Sequence, residues 1–542
     1  MHSIDVVLMM LLLVLASGYV VRMLPFALPL PLVQIALGAG VAAGSSHAVK
    51  LDPHVFFLLF LPPLLFLDGW RIPKEGLFRD ARPILQLALG LVVFTVLGAG
   101  FLIHWLIPSM PLAVAFALAA VVSPTDPIAV SSIAARVPVP HRLMHILEGE
   151  ALLNDASGLV LFRFAVVAAL TGRFVPGEAA LVFLWLALGG LAIGVLVTLA
   201  ISRGHSRLTR RFGQDAGVPI LGSLLMPFAA YLLAERIGVS GILAAVAAGI
   251  TMSRVELAGG GLAATRVQRA AVWDAVRFAL NGIVFVLLGE QLPGLLRGAA
   301  ASVAEAGHGN PWWLALLAIA ISAGLMVLRF VWVWTTFRMT WLSPRGHGTG
   351  GPGWRLVAVT TLSGVRGAVT LAGVLTLPLL LPDGRAFPAR DLAVFLAAAV
   401  ILVWLLAATF VLPRLLVGLE VPAEAEALRE EDLARQAAAR AAVAAIERSR
   451  NAPGAAAAEA EIHARAAVRV MTLYEHRLDD ATQAGMEAPR LREADRAERA
   501  LRLAALHAER ETIFELARGQ AISDELARRL VREIDLMEAR YT

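Results

Sequence analysis

The chain has 542 residues, of which 58% are hydrophobic, and its mean hydropathy of +0.72 is typical of an integral membrane protein. It contains no cysteine, which excludes disulfides, thiolate metal sites and cysteine nucleophiles. The net charge of +5 does not indicate nucleic-acid binding, because the basic excess lies between hydrophobic stretches, where the positive-inside rule places it.

The charge balance changes near residue 420. Residues 1–420 contain 28 Lys and Arg against 19 Asp and Glu, whereas residues 421–542 contain 19 against 23. The first segment is therefore sparse in charge, and the second is dense and nearly balanced. We predict a transmembrane domain over 1–420 and a cytoplasmic helical domain over 421–542, which is expected to act in regulation or oligomerisation.

Thirteen apolar stretches approach the roughly 20 residues that a membrane-spanning helix needs. The first has no basic segment before it and is interpreted as a retained helix, not a cleaved signal. The predicted spans are 4–21, 25–45, 53–69, 83–107, 112–134, 145–170, 179–202, 218–235, 237–253, 271–295, 312–336, 356–381 and 391–417. This pattern predicts an all-α polytopic membrane protein.

Basic residues in the loops between these spans predict their orientation. Seventeen lie in one set of loops and six in the opposite set, so the positive-inside rule places the first set in the cytoplasm. The N-terminus is then outside the cell. An odd number of spans leaves the C-terminal domain in the cytoplasm.

Two predicted spans contain helix-breaking sequences. The fifth contains Ser123-Pro124-Thr125-Asp126-Pro127, whose two prolines remove backbone donors and clash with the preceding turns. The twelfth contains Ser363-Gly364-Val365-Arg366-Gly367, in which glycines flank an arginine. Broken backbone at membrane depth is tolerated only where protein or a water-filled cavity covers it, and in transporters such breaks form the ion site.

The sixth predicted span contains the polar string Glu148–Gly158. A charge at mid-bilayer costs ~2.5–3.5 kcal/mol, so such residues indicate function. Glu150 and Asn154 lie four residues apart on one helix face, while Asp155 lies on the stripe of Glu148. Oxygen ligands suit hard cations, and a carboxylate removed from water competes for protons near neutral pH. Asp155 is therefore the predicted proton- and cation-exchanging group, and Asn154 holds its geometry.

The other polar residues receive supporting roles. Thr125 offers a hydroxyl and a freed carbonyl as cation ligands, and Asp126 is placed beside a helix N-terminus, where the macrodipole favours an anion. Arg366 needs a partner in the membrane, and Glu150 is the candidate. Asp68 either lines the cytoplasmic approach or adds a ligand. The charged residues expected to snorkel to the interface are Asp274, Arg277, Arg329 and Arg414.

Three motifs in order resemble the monovalent cation–proton antiporters, in the sodium/proton exchanger branch with an Asn-Asp pair. They are Ser-Pro-Thr-Asp-Pro (123–127), Glu-Ala-Leu-Leu-Asn-Asp (150–155) and Gly-Val-Arg-Gly-Ala (364–368). The resemblance covers roughly residues 5–415 and implies about thirteen helices with two inverted repeats, a homodimer and an elevator motion of a core domain against a dimerisation domain. It further implies electroneutral exchange of one Na⁺ for one H⁺ in the plasma membrane, a role in pH homeostasis and no cofactor.

The resemblance also assigns residues. The positions that match the family's ion site are Asp155, Asn154, Thr125, Asp126 and, as a further acidic ligand, Asp68. The positions that match its buried ion pair are Glu150 and Arg366. Na⁺ is thus expected at Asp155 and Thr125, with Asp68 beside them. Ala151 departs from the serine that often follows this glutamate, which removes a side-chain ligand.

Three alternatives stay open at this point. The transported ion can be K⁺ or Li⁺ instead of Na⁺. An intramembrane aspartyl protease would use Asp126 and Asp155 as a dyad, but it leaves Asn154 and Arg366 without a role. A cation channel would leave the proton-exchanging carboxylate unexplained.

Overall fold

The structure, a computed structural model, describes most of the transmembrane region and parts of the C-terminal region. All regular secondary structure in the described residues is helical, apart from one isolated antiparallel bridge between Leu380 and Ala386. The predicted all-α class is therefore confirmed. The described residues are 2–24, 28–44, 53–71, 86–126, 130, 141–172, 176–212, 217–257, 263–297, 310, 312–341, 354–417, 437–438, 440–448, 467–468, 470–471, 488–519 and 524–539.

The first 420 residues contain fourteen of the described α-helices. A single π-helical turn, Gln86–Gly90, leads directly into the fourth of them. In chain order these helices are α1 (His2–Met23), α2 (Leu30–Gly44), α3 (Pro53–Arg71), α4 (Leu91–Leu106), α5 (Leu112–Val122), α6 (His141–Thr171), α7 (Pro176–Phe212), α8 (Gly217–Ile237), α9 (Gly241–Leu257), α10 (Ala263–Arg297), α11 (Trp312–Trp341), α12 (Trp354–Leu362), α13 (Ala368–Leu375) and α14 (Arg390–Leu416).

Each predicted apolar stretch overlaps one of these helices, or two half-helices in the case of 356–381. Among the described helices, seven are long and apolar enough to cross a membrane: α1, α6, α7, α8, α10, α11 and α14. Helices α2, α4 and α5 are apolar but shorter. The chain is a multi-pass membrane protein, and the total of thirteen spans stays a prediction.

Both predicted helix breaks are present. Helix α5 ends at Val122, and residues 123–126 are not helical, as the prolines of this segment predict. Helix α12 ends at Leu362 and α13 begins at Ala368, so residues 363–367 form an unwound segment between two half-helices. Residues 127–129 and 131–140 of the fifth predicted span lie outside the described residues.

Glycines mark the closest helix–helix contacts. At Gly38 of α2 and Gly289 of α10, an added Cβ atom would collide with a backbone carbonyl of the opposite helix. Gly69 of α3 and Gly249 of α9 form a second contact of the same kind. Small residues allow this approach, and van der Waals packing then holds helices together in a lipid environment.

The contacts of the chain divide it into two compact units, Met1–Glu420 and Val421–Thr542, at the place where the charge balance changes. The second unit contains α15 (Ala488–Arg518) and α16 (Asp524–Glu538), which bury Ile534. Helix α15 ends at Arg518, immediately before Gly519. Most of residues 421–487 lie outside the described residues.

Candidate functional site

The unwound segments 123–126 and 363–367 contact each other. The backbone N–H of Asp126 donates to the carbonyl of Val365 at 2.6 Å, and Nε of Arg366 donates to the carbonyl of Val122 at 2.8 Å. A Cβ atom on Gly367 would collide with the Asp126 carboxylate. Each break therefore satisfies backbone groups that the other break leaves open.

Asp126 and Arg366 each lie at a helix end whose partial charge is opposite to their own. Arg366 binds the last carbonyl of α5, where the macrodipole favours a cation, and Asp126 lies against Gly367, which caps the N-terminus of α13. Arg366 is buried, and its guanidinium carbon lies 4.1 Å from the centroid of the Trp404 ring. Backbone carbonyls and an aromatic face thus stabilise Arg366.

Glu150 pairs with Arg329, so the predicted pair between Glu150 and Arg366 is wrong. Arg329 donates from Nη1 to one oxygen of Glu150 and from Nη2 to the other at 2.9 Å. The two side chains are 0% and 2% exposed. The prediction that Arg329 snorkels to the interface is therefore also wrong.

The break in the twelfth span explains this choice of partner. Helix α12 stops early, which leaves the carbonyl of Thr360 open, and Nε of Arg329 donates to it at 3.3 Å. Gly364 leaves room for the guanidinium, since a Cβ atom there would lie 2.5 Å from Nε of Arg329. The position of Arg329 within α11 was an available signal: it lies seven residues, or about 10 Å, inside the predicted end of its span.

A chain of hydrogen bonds extends from this ion pair. Nδ2 of Asn154 donates to Oγ1 of Thr125 at 2.8 Å, and Oγ1 of Thr125 donates to Oε1 of Glu150 at 3.3 Å. Oδ1 of Asn154 is buried and has no hydrogen-bond partner among the described residues. A buried acceptor without a partner is costly, so this oxygen is suited to a bound cation.

Asp155 differs from Glu150 in its surroundings. The residue is 7% exposed, and among the described residues neither a basic group nor a hydrogen-bond donor contacts its carboxylate. The charged groups that act on it are other carboxylates, those of Asp126, Asp68 and Glu150. A buried carboxylate without a counter-charge is stable only with a proton or a cation.

Gly158 brings α6 close to the break in the fifth span. A Cβ atom at this position would lie 2.6 Å from Cγ of Pro124 and 3.0 Å from the carbonyl of Ala120. A larger residue would force α6 away from the unwound segment. Gly158 therefore positions Asn154 and Asp155, which precede it by one turn, against Thr125.

Asp68 lies outside this hydrogen-bonded cluster. Its side chain on α3 is 43% exposed, and its Oδ1 lies 4.0 Å from Nη2 of Arg277 on α10. The structure thus brings Thr125, Asn154 and Glu150 into one cluster with Arg329, and it places Asp68 beside a basic residue.

Comparison with known proteins adds independent findings. The family model described as "Sodium/hydrogen exchanger, transmembrane" matches residues 8–418. The chain is 42% identical over 540 residues to an Escherichia coli K12 protein named "Uncharacterized Na(+)/H(+) exchanger YjcE", with 98% of both chains covered. It is 44% identical over 416 residues to the "Sodium, potassium, lithium and rubidium/H(+) antiporter" of Bacillus subtilis 168, which covers 76% of this chain and 61% of that protein.

The fold has a match among solved structures. The sodium proton antiporter MjNhaP1 from Methanocaldococcus jannaschii, solved at pH 8, aligns with a TM-score of 0.56 and 17% sequence identity. The alignment covers 77% of this chain and 99% of the MjNhaP1 chain. The likeness establishes the fold of the transmembrane region.

Proposed function

Since this chain belongs to the sodium/hydrogen exchanger family, we propose that it exchanges one Na⁺ for one proton across the plasma membrane. The observation that carries the proposal is the contrast between two buried acids of α6. Arg329 forms an ion pair with Glu150, whereas Asp155 has no counter-charge among the described residues. Asp155 is therefore the group that holds either the proton or the cation.

Coupling between the two ions follows from the cost of a bare charge in the membrane. Protonated Asp155 is neutral, and ionised Asp155 with a bound monovalent cation is also neutral. The ionised and empty form is the expensive one to carry across the low-dielectric region. The protein therefore changes sides only when it is loaded, and the cycle is electroneutral because both loaded forms carry the same charge.

The cation ligands are oxygens around the first break. We assign them to the Asp155 carboxylate, to Oδ1 of Asn154 and to the Thr125 hydroxyl, which keeps one lone pair after its two hydrogen bonds. Ala151 contributes no side-chain oxygen, so backbone carbonyls or water complete the shell. Oxygen ligands of this kind suit an alkali cation, and no cofactor takes part.

Movement and assembly follow the family pattern in this proposal. The contacts between 123–126 and 363–367 make the two breaks one cluster, so an elevator-type motion of that cluster would carry the site as a unit. We propose a homodimer with the N-terminus outside and the C-terminus in the cytoplasm, where 421–542 regulates transport or supports oligomerisation. The loop charges support this orientation.

K⁺, Li⁺ and Rb⁺ are the alternative substrates, because the Bacillus subtilis relative is named for all of them. A site built partly from neutral amide and hydroxyl oxygens does not by its charge distinguish among monovalent cations. The protease and channel alternatives find no support in an exchanger family.

The test is flux through the purified protein in proteoliposomes. A dye inside the vesicles reports pH after addition of Na⁺, K⁺, Li⁺ or Rb⁺ outside. With the cation added outside, exchange moves the cation in and protons out, so the interior of the vesicles should become more alkaline without a change in membrane potential. Asp155→Asn should abolish it. Asp391→Asn is the matched control, because the same substitution falls on a side chain that is 78% exposed. Cation-driven flux above a tenth of wild type in Asp155→Asn would overturn the proposal.

A further inference from the structure

Two ion pairs join the end of α3 to the first half of α10. Arg71 Nη2 lies 2.5 Å from Oδ1 of Asp274, and Arg277 Nη2 lies 4.0 Å from Oδ1 of Asp68. The charges are reversed between the helices, with Asp68 and Arg71 on α3 facing Arg277 and Asp274 on α10. We name this arrangement the charge ladder.

The two rungs of the charge ladder differ. The Arg71–Asp274 rung is a close ion pair, whereas the 4.0 Å of the Arg277–Asp68 rung exceeds hydrogen-bond distance. Loose packing of α3 does not explain the long distance between Arg277 and Asp68, because α3 is held in place here. Nε1 of Trp70, between Asp68 and Arg71 on α3, donates to Oε2 of Glu256 on α9 at 2.8 Å.

Glu256 also fixes α10. Its Oε1 lies 3.3 Å from Nη1 of Arg269, two turns before Arg277. Both helices of the charge ladder are thus held by the same residue of α9. The guanidinium of Arg277 therefore attracts the Asp68 carboxylate without forming a hydrogen bond to it.

Arg277 lies among the acids that lead to Asp155. It acts electrostatically on Glu148 as well as on Asp68, and Asp68 in turn acts on Asp155. Glu148 precedes Asp155 by seven residues on α6, which is two turns or about 10 Å. The side chains of Asp68 and Glu148 are both partly exposed.

We propose that Arg277 is a built-in competitor of the transported cation at this approach. Its guanidinium compensates the charges of Asp68 and Glu148, lowers the local concentration of cation and thereby sets the apparent affinity of the exchanger. A cation that approaches Asp68 is repelled by the positive charge of Arg277. This inference rests on the proposed function, and it assigns to Arg277 a role in affinity and not in the exchange step itself.

The absence of cysteine from the chain makes a charge-swap test possible. Arg277→Cys introduces a single thiol at a side chain that is 30% exposed. One preparation is divided and labelled with a cationic trimethylammonium methanethiosulfonate or with its neutral methyl analogue. The apparent KM for Na⁺ is then measured in proteoliposomes at low ionic strength. Because both samples come from one folded preparation, a difference in folding cannot explain a difference in KM.

The cationic adduct should show a KM on the order of threefold to tenfold higher than the neutral adduct, with maximal rates within about twofold. Added inert salt should narrow the gap. Arg71→Cys is the comparison variant. Arg71 lies one turn from Asp68 on α3 and also acts on it, but a charge at this position is compensated by Asp274, so the two Arg71→Cys adducts should differ in KM by less than the two Arg277→Cys adducts. If Arg277→Cys yields no folded protein, Arg277→Gln should lower KM relative to Arg277→Lys.

Equal KM values for the two Arg277→Cys adducts, with exchange intact, would overturn the role of Arg277. An equal change in the Arg71→Cys pair would also overturn it, because any charge near the approach would then suffice. Failure of the proposed function is distinguishable: in that case the wild-type protein shows no cation-driven proton flux at all.

Discussion

Glu150 and Arg329 form a buried bidentate ion pair that joins α6 to α11, with an Nη2–Oε2 distance of 2.9 Å. The pair also connects both helix breaks, because Glu150 accepts from Thr125 and Arg329 donates to Thr360. In the proposed function this pair therefore supports the ion site and takes no part in ion exchange.

Loss of either partner should destabilise the protein strongly. Glu150→Gln and Arg329→Gln each leave a buried charge, at a cost of ~3–5 kcal/mol, and the melting temperature in detergent should fall by several degrees. The double variant should recover part of this loss, because it removes both charges. Thermal unfolding of the four proteins measures the coupling energy.

The comparison cycle uses Arg366 in place of Arg329. Arg366 binds carbonyls and the Trp404 ring and makes no direct contact with Glu150 among the described residues, so the coupling between Glu150→Gln and Arg366→Gln should be smaller than in the Arg329 cycle. Recovery of the melting temperature in the double variant with Arg366→Gln, but not in the double variant with Arg329→Gln, would contradict the pairing of Glu150 with Arg329.

The contact between α2 and α10 provides a prediction about packing. Gly38→Ala places a methyl group against the Val286 carbonyl and should cost about 1–3 kcal/mol. Gly40→Ala, two residues away, meets no atom within 4 Å and should be neutral or stabilising by about 0.4–1 kcal/mol. Melting temperatures of the two variants test this directly. A lower melting temperature for Gly40→Ala than for Gly38→Ala would show that the contact is misplaced.

Arg366→Lys should fail to replace arginine. The ammonium group lacks the planar fork that reaches the Val122 carbonyl while it lies over Trp404. Loss of a charge-assisted hydrogen bond should cost about 1.5–3 kcal/mol, and exchange should slow because the two breaks lose a contact. The control is Arg414→Lys near the exposed end of α14, which should behave as wild type. Full activity and stability of Arg366→Lys would contradict this account of the contact between the two unwound segments.

Removal of residues after Gly418 should leave exchange intact. Every proposed ligand lies before residue 367, and the contacts of the chain separate 1–420 from 421–542. We expect the truncated protein to exchange ions with a shifted pH profile or a weaker dimer, measured by flux and by light scattering. A well-folded truncated protein without exchange between pH 5 and 9 would mean that the tail belongs to the transport cycle.

The breaks and the central carboxylate were predictable because their causes are local. Two prolines end α5, glycines flank the unwound segment before α13, and Asp155 is an acid inside an apolar helix. Each of these effects depends on residues close together in the chain, so a single sequence is enough to predict it.

The partner of Glu150 was not predictable in this way. Arg329 lies 179 residues away, and Arg366 is equally basic and nearer to a visible motif. The choice depends on which open carbonyls each guanidinium reaches: that of Val122 for Arg366 and that of Thr360 for Arg329. Those positions exist only after the two broken spans have packed against each other. The ion pair between Asp68 and Arg277 was not predictable from the sequence for the same reason, because it depends on how two distant helices pack.

The central claim is that a proton and a cation compete for one carboxylate, Asp155. The most direct measurement is proton release from the purified protein in weakly buffered detergent solution when NaCl is added, with choline chloride as the salt control. The account predicts about one proton released per protein, a half-saturating Na⁺ concentration that rises up to tenfold for each unit decrease in pH, and no release from Asp155→Asn. Undiminished release from Asp155→Asn, or Na⁺ binding to the wild-type protein without proton release, would contradict it.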